Sequence, residues 1–154
     1  MAFKLGDTLP SLTLKASGGQ TVNLDDLKGK HLVLYVYPKD NTPGCTQEGQ
    51  DFRDLYQDFK AAGAEVMGVS KDGVKAHDNF IAKFDFPFTL LSDGDGALCD
   101  ALDVMREKSM YGKTYVGIDR STFLFNPKGK LVHEWRGVKV KGHAQAVLDV
   151  LKGA

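Results

Sequence analysis

The stretch Pro38-Lys39-Asp40-Asn41-Thr42-Pro43-Gly44-Cys45 puts a cysteine where a helix should begin. Thr42 suits the N-cap, and Pro43 suits the first helical position, where its missing N–H costs nothing. Cys45 then falls third in the helix, beside backbone N–H groups without intrahelical acceptors and at the positive end of the helix dipole. Both features stabilise a thiolate, the nucleophilic form of the side chain. On these residues alone two roles stay open, a reactive thiol or a small buried hydrophobe of the kind unpaired cysteines often are.

Helical spacing sets the direction of this thiol. Cys45, Gly49, Phe52, Tyr56 and Phe59 share one face, with Leu55 beside it, while Glu48, Gln50, Asp51, Arg53, Asp54, Gln57 and Asp58 mostly decorate the other sides. Cys45 therefore points inward beneath the preceding loop. A sheltered thiolate needs a fixed cation, and Arg120 is a candidate because Ile118-Asp119-Arg120-Ser121 opens a β-prone run.

The elements that must hold these groups follow from periodicity. Residues 12–24 alternate weakly around Ser17-Gly18-Gly19-Gln20 and read as an N-terminal hairpin, followed by a short polar connection over residues 25–30. His31 to Tyr37 is a continuous β-prone run that fits a strand buried on both faces. Pro43 to about Gly63 reads as a helix, residues 64–70 as a second buried strand, residues 72–83 as a second helix and residues 88–91 as a short strand. Ser92-Asp93-Gly94-Asp95-Gly96 leads into a short helix through about Val104. Residues 121–125 and 130–136 flank the turn Asn126-Pro127-Lys128-Gly129, and a last helix covers residues 142–152. Residues 106–117 receive no element; they could border the mouth of the site, and packing accounts for Met105, Met110 and Tyr111. Strand–helix–strand units imply parallel pairs, and the late hairpin adds antiparallel strands, so the expected fold is α/β with a mixed sheet between helices on both faces. Ligands of such sheets sit beyond the carboxyl ends of the central strands, where the loop from Pro38 to Cys45 must lie.

Composition narrows the classes of function. The chain has 154 residues, suited to one domain over residues 1–154. Twenty basic and twenty acidic residues cancel, which leaves no general field for nucleic acid or an acidic membrane. No segment reaches the ~18 apolar residues needed to span a bilayer, and the stretch Met1-Ala2-Phe3-Lys4-Leu5-Gly6-Asp7 lacks the apolar run of a signal peptide, so a cytoplasmic protein is expected. Two cysteines, Cys45 and Cys99, are too few for a secreted disulfide framework. His31, His77, His133 and His143 have no ligand spacing with either of them, so no metal site is expected. Asp93-Gly94-Asp95-Gly96 fails as a calcium loop, since Leu98 and Val104 stand where Gly and Glu belong.

At this point the residues resemble a known family. Pro38, Thr42 and Cys45 have the P-x-x-x-T-x-x-C spacing of peroxiredoxins, and Tyr37 through Thr46 is similar to the Q class, also called bacterioferritin comigratory protein. Leu90-Leu91-Ser92-Asp93, Arg120-Ser121-Thr122-Phe123-Leu124 and residues 135–143 (WRGVKVKGH) resemble the same class in the same order, so the likeness spans nearly the whole chain. The resemblance implies a thioredoxin-like fold and the reduction of hydroperoxides by a thiol, without metal or organic cofactor. It makes Cys45 the peroxidatic cysteine and gives Thr42 a hydrogen bond to sulfur and bound peroxide. Arg120 would hold the thiolate and polarise the peroxide, Pro38 would shield the pocket, and Glu48 would orient the arginine.

One departure matters. Many members of the class carry a resolving cysteine five residues after the first, where this chain has Gln50, and residues 72–83 contain none. Cys99 remains, as a structural residue, as a partner for Cys45 after local unfolding, or as a link to another subunit. The structural role is preferred, which implies a one-cysteine cycle with thioredoxin, glutaredoxin or glutathione as reductant, in a monomer or weak dimer. Rival readings are a redox sensor or chaperone-like binding domain, a disulfide oxidoreductase, and a cysteine hydrolase. The oxidoreductase lacks C-x-x-C because Thr42 holds the place of its first cysteine. The hydrolase lacks a histidine with a predictable place beside Cys45.

Overall fold

The computed structural model describes residues 3–153; Met1 and Ala2, at the head of the N-terminal stretch discussed above, and Ala154 lie outside it. Nine strands and four α-helices follow one another as β1 (Thr13–Ala16), β2 (Gln20–Asn23), β3 (His31–Val36), α1 (Pro43–Ala61), β4 (Ala64–Ser70), α2 (Val74–Phe84), β5 (Thr89–Ser92), α3 (Ala97–Ala101), β6 (Met105–Met110), β7 (Lys113–Ile118), β8 (Ser121–Phe125), β9 (Leu131–Trp135) and α4 (His143–Lys152). Seven strands form one sheet in the order β2-β1-β5-β4-β3-β8-β9. β3 and β4 run parallel, as do β4 and β5, and the outer pairings are antiparallel.

Strand periodicity divides the core in two. Leu32, Leu34 and Val36 of β3 face one side, while Val33, Tyr35 and Tyr37 face the other, and all six are essentially inaccessible. Strands β3, β4 and β5 step across the sheet in one direction, so their two crossovers put α1 and α2 on the same face. α4 joins them there, and Phe52, Phe59, Phe80, Val147, Leu148 and Leu151 fill the layer beneath. The opposite face is covered by α3, a 3₁₀ turn over Leu24–Leu27 and the N-terminal segment from Phe3. Helices thus flank a mixed sheet on both faces, although a single five-residue helix serves the second face.

Several boundaries differ from the sequence reading. α2 begins at Val74, with Gly73 as its cap, and α3 ends at Ala101. Residues 106–117, given no element, belong to an antiparallel hairpin (β6 and β7) that stands apart from the main sheet and turns at Tyr111-Gly112, both with positive φ. Its strands are mostly accessible on both faces, with Tyr111 97% exposed, so the apolar–polar alternation that marks a strand is absent.

Candidate active site

The loop after β3 meets the first turn of α1 at the carboxyl edge of the central strands. Thr42 occupies the N-cap with extended backbone, Pro43 opens the helix, and the Thr42 carbonyl accepts the first helical hydrogen bond from the Thr46 amide at 2.8 Å. The amides of Gly44 and Cys45 precede that bond and have no intrahelical acceptor. The Thr42 hydroxyl does not cap them, contrary to the sequence reading. It donates instead to the carbonyl oxygen of Lys39 at 2.8 Å. The donors of the helix end are therefore left without a side-chain cap.

Cys45 is buried at 1% exposure, in the aromatic layer beneath α1. Arg120, immediately before β8, spans two residues of α1 at once. Its Nη2 donates to Cys45 Sγ at 3.4 Å and its Nη1 to Glu48 Oε1 at 2.7 Å. Cys45 and Glu48 are three apart on the helix and so project from neighbouring positions of one face. The planar guanidinium fits that pair as a fork, which a lysine would not. Helical spacing sets Glu48 off the Cys45 face, yet it is 1% exposed and paired with Arg120, the residue the resemblance has it orient. Gly44 makes room for the fork: a Cβ there would lie 3.0 Å from Nη2.

The electrostatics follow from burial. Desolvation pushes the Glu48 carboxyl up to about 7, and Arg120 offsets only part of that shift. Burial works against the charge of Arg120, but Glu48 and Cys45 outweigh it and hold the guanidinium above its ordinary range. His143, at the start of α4, is a neighbour the sequence did not place. Burial and then Arg120 lower it to about 4, so its ring stays neutral. Its Nε2 lies 2.8 Å from Thr122 Oγ1, and its ring packs edge-on against Phe52 and Trp135. A neutral imidazole there adds no second cation to the field of Arg120.

The remaining sequence candidates fall in two places. Pro38 lies two residues past the end of β3, after the buried Tyr37, and is half-buried at the head of the loop. Cys99, in α3, is fully buried in the layer on the opposite face of the sheet from Cys45. Burial first, then Asp93, push its thiol well above the ordinary range. The Asp93 carboxylate also accepts the amides of Leu98 and Cys99, at 3.0 and 2.7 Å, so the segment read as a turn before a helix is tied to α3 through that side chain. Among the described residues no three His, Cys, Asp or Glu side chains converge as a metal set, and no helix is long and apolar enough to cross a membrane.

A cysteine at a helix N-terminus, forked by an arginine from a neighbouring strand, can be compared with known proteins. The AhpC/TSA family model matches residues 5–134. The chain belongs to the AhpC/TSA family. Among its relatives in that family is the peroxiredoxin Bcp of Xanthomonas campestris pv. campestris, 58% identical over 141 residues that make up 92% of this chain and 88% of that protein. The crystal structure of a mutant of Xylella fastidiosa PrxQ superposes with a TM-score of 0.95 at 48% identity, over 99% of this chain and 98% of that one. The bacterioferritin comigratory protein of Xanthomonas campestris gives a TM-score of 0.90 at 55% identity, over 96% and 98% of the two chains. Within the AhpC/TSA family the chain is thus a peroxiredoxin of the Bcp/PrxQ kind with the thioredoxin-like peroxiredoxin fold, and it is a thiol-dependent peroxidase.

Proposed function

We propose that Cys45 reduces hydrogen peroxide and organic hydroperoxides in a one-cysteine cycle, with an external thiol restoring it. The observation that carries this reading is the Arg120 fork on Cys45 and Glu48. The thiolate attacks the terminal oxygen of the peroxide, the O–O bond breaks, and the leaving oxygen takes a proton to become water or an alcohol. Both electrons come from sulfur, which becomes a sulfenic acid. Charge moves from sulfur to the leaving oxygen, so donors fixed along that line stabilise the transition state more than the ground state. Arg120 and the free amides of the first turn of α1 are such donors.

Thr42 takes a complementary part. Its hydroxyl proton is committed to the Lys39 carbonyl, which leaves Oγ1 as an acceptor for the proton of the incoming hydroperoxide. Pro38 shields the pocket from water, and Glu48 keeps the guanidinium in register. Alkyl peroxide reduction is the activity ascribed to the Xanthomonas campestris relative, which supports organic hydroperoxides as substrates here.

The sulfenic acid then condenses with one thiol, releasing water, and a second thiol frees Cys45 as thiol. Thioredoxin, glutaredoxin or glutathione supplies these equivalents, in the cytoplasm, to a monomer or weak dimer. Two features support the one-cysteine cycle: Gln50 stands at the usual resolving position, and Cys99 lies across the sheet. Mass spectrometry after one equivalent of peroxide tests it on the wild type and Cys99→Ser. Sulfenic acid on Cys45 in both supports the reading; a Cys45–Cys99 disulfide in the wild type sinks it.

A further inference from the structure

The Thr42 hydroxyl is held by a peptide group that is itself held from behind. The carbonyl of Lys39 and the amide N–H of Asp40 belong to one planar unit. The carbonyl accepts Thr42 Oγ1 at 2.8 Å, and the N–H donates to Asp72 Oδ2 at 2.8 Å. That Asp72 oxygen also accepts the Ser70 hydroxyl at 2.6 Å, while the Asp72 carbonyl accepts the Ser92 hydroxyl at 2.7 Å. The carboxylate is therefore anchored to the end of β4, and the Asp72 backbone to the end of β5.

The Asp40 side chain is fixed independently. Its Oδ1 accepts the Tyr37 hydroxyl at 2.6 Å, and its Oδ2 lies 2.6 Å from Nδ1 of His77. His77 is fully buried in α2, and its Nε2 lies 2.8 Å from the carbonyl oxygen of Leu91. A carbonyl only accepts, so Nε2 carries a hydrogen, and one further proton lies between Nδ1 and Asp40. Residues of β4, β5 and α2, with Tyr37 just past β3, thus converge on one peptide of a loop that has no regular structure of its own. Nothing in the chemistry at Cys45 calls for these buried groups. Their shared product is the orientation of a single peptide plane.

We propose that Asp72, with Asp40 locked by Tyr37 and His77, forms a positioning relay that aims the Thr42 oxygen at the peroxide. The relay rests on the assignment of Thr42 as peroxide acceptor. Rotating the Lys39–Asp40 peptide would release the Thr42 proton from its carbonyl and turn Oγ1 from an oriented acceptor into a free rotor. The consequence falls on peroxide and not on reagents that meet only the sulfur.

The test compares two rate constants at Cys45 in the whole chain, oxidation by cumene hydroperoxide and alkylation by iodoacetamide, which has no use for Thr42. Asp72 is half-buried, so Asp72→Ala leaves the core intact. Asp72→Ala lowers the peroxide-to-alkylation ratio about tenfold, and Asp72→Asn, which keeps an acceptor oxygen, returns it to within about twofold of wild type. Tyr37→Phe moves the ratio in the same direction as Asp72→Ala. In a Thr42→Val background Asp72→Ala changes the ratio no further, because the group it aims is gone. An unchanged ratio in Asp72→Ala, or an equal fall with and without Thr42, overturns the relay. A wild-type ratio no higher than that of a free thiol overturns the peroxidase reading itself, and the relay with it.

Discussion

Glu48 meets Arg120 at 2.7 Å through Oε1, while its other oxygen, Oε2, is buried without a partner. Half of the carboxylate is thus satisfied and half is not, which is why its protonation is costly to ignore. In the fold it titrates near 7, against an ordinary value of 4.5. Between those two pH values the folded chain holds a proton that the unfolded chain has released. Stability contributed by this group is full below 4.5, falls as pH rises, and is flat above 7. Glu48→Gln keeps an acceptor for Nη1 and removes the buried charge. Thermal or urea unfolding should therefore show a flatter profile from pH 4.5 to 7 than wild type. A variant whose stability falls over that range as steeply as that of wild type would contradict this account.

Arg120 contributes a shape as well as a charge. Arg120→Lys retains the cation, yet one ammonium cannot donate along two fixed directions to Sγ and Oε1. The second-order rate constant for peroxide should fall about 10- to 100-fold, and further in Arg120→Met. Stopped-flow fluorescence can follow it, because the only tryptophan, Trp135, packs against His143 with ring centroids 5.8 Å apart. Full rate in the lysine variant would reduce Arg120 to a point charge.

How far the site could be read from the chain depends on what held each group. Cys45 was legible because local rules, a cap, a proline and a helical period, place it without reference to the rest of the fold. Arg120 was legible only as a cation at the start of a strand, since its distance to sulfur depends on β3 pairing with β8. The helical period that located Cys45 set Glu48 off its face, and only the resemblance joined it to Arg120, because that partner lies 72 positions away in the chain. The two-faced sheet announced itself in continuous apolar runs, whereas the β6–β7 hairpin, wet on both faces, carried no such pattern. Asp40, Asp72 and His77 form their network only after β4, β5 and α2 assemble, so no spacing in the sequence joins them.

Gly44 separates activity from stability. Its backbone lies in an ordinary helical turn, where alanine is favoured over glycine by about 1 kcal/mol. Yet a Cβ at this position meets Arg120 Nη2 at 3.0 Å and must push the guanidinium away from sulfur. Gly44→Ala should unfold no earlier than wild type while oxidising with peroxide at least about tenfold more slowly. Loss of both properties together would mean that the glycine serves the backbone and not the fork.

Cys99 offers a final measurement on the intact fold. Its thiol is fully buried on the far side of the sheet, and its amide is held by Asp93. A reagent can reach it only when that face of the core opens, so its alkylation should track global unfolding, whereas Cys45 needs only movement of the first turn of α1. With excess iodoacetamide Cys45 should label first, and Cys99 at a rate that rises with urea in step with the unfolding equilibrium. Cys99→Ser should keep peroxide turnover with an added dithiol, since the backbone amide held by Asp93 is retained. Fast labelling of Cys99 in native buffer, or loss of turnover in Cys99→Ser, would return this cysteine to the catalytic cycle.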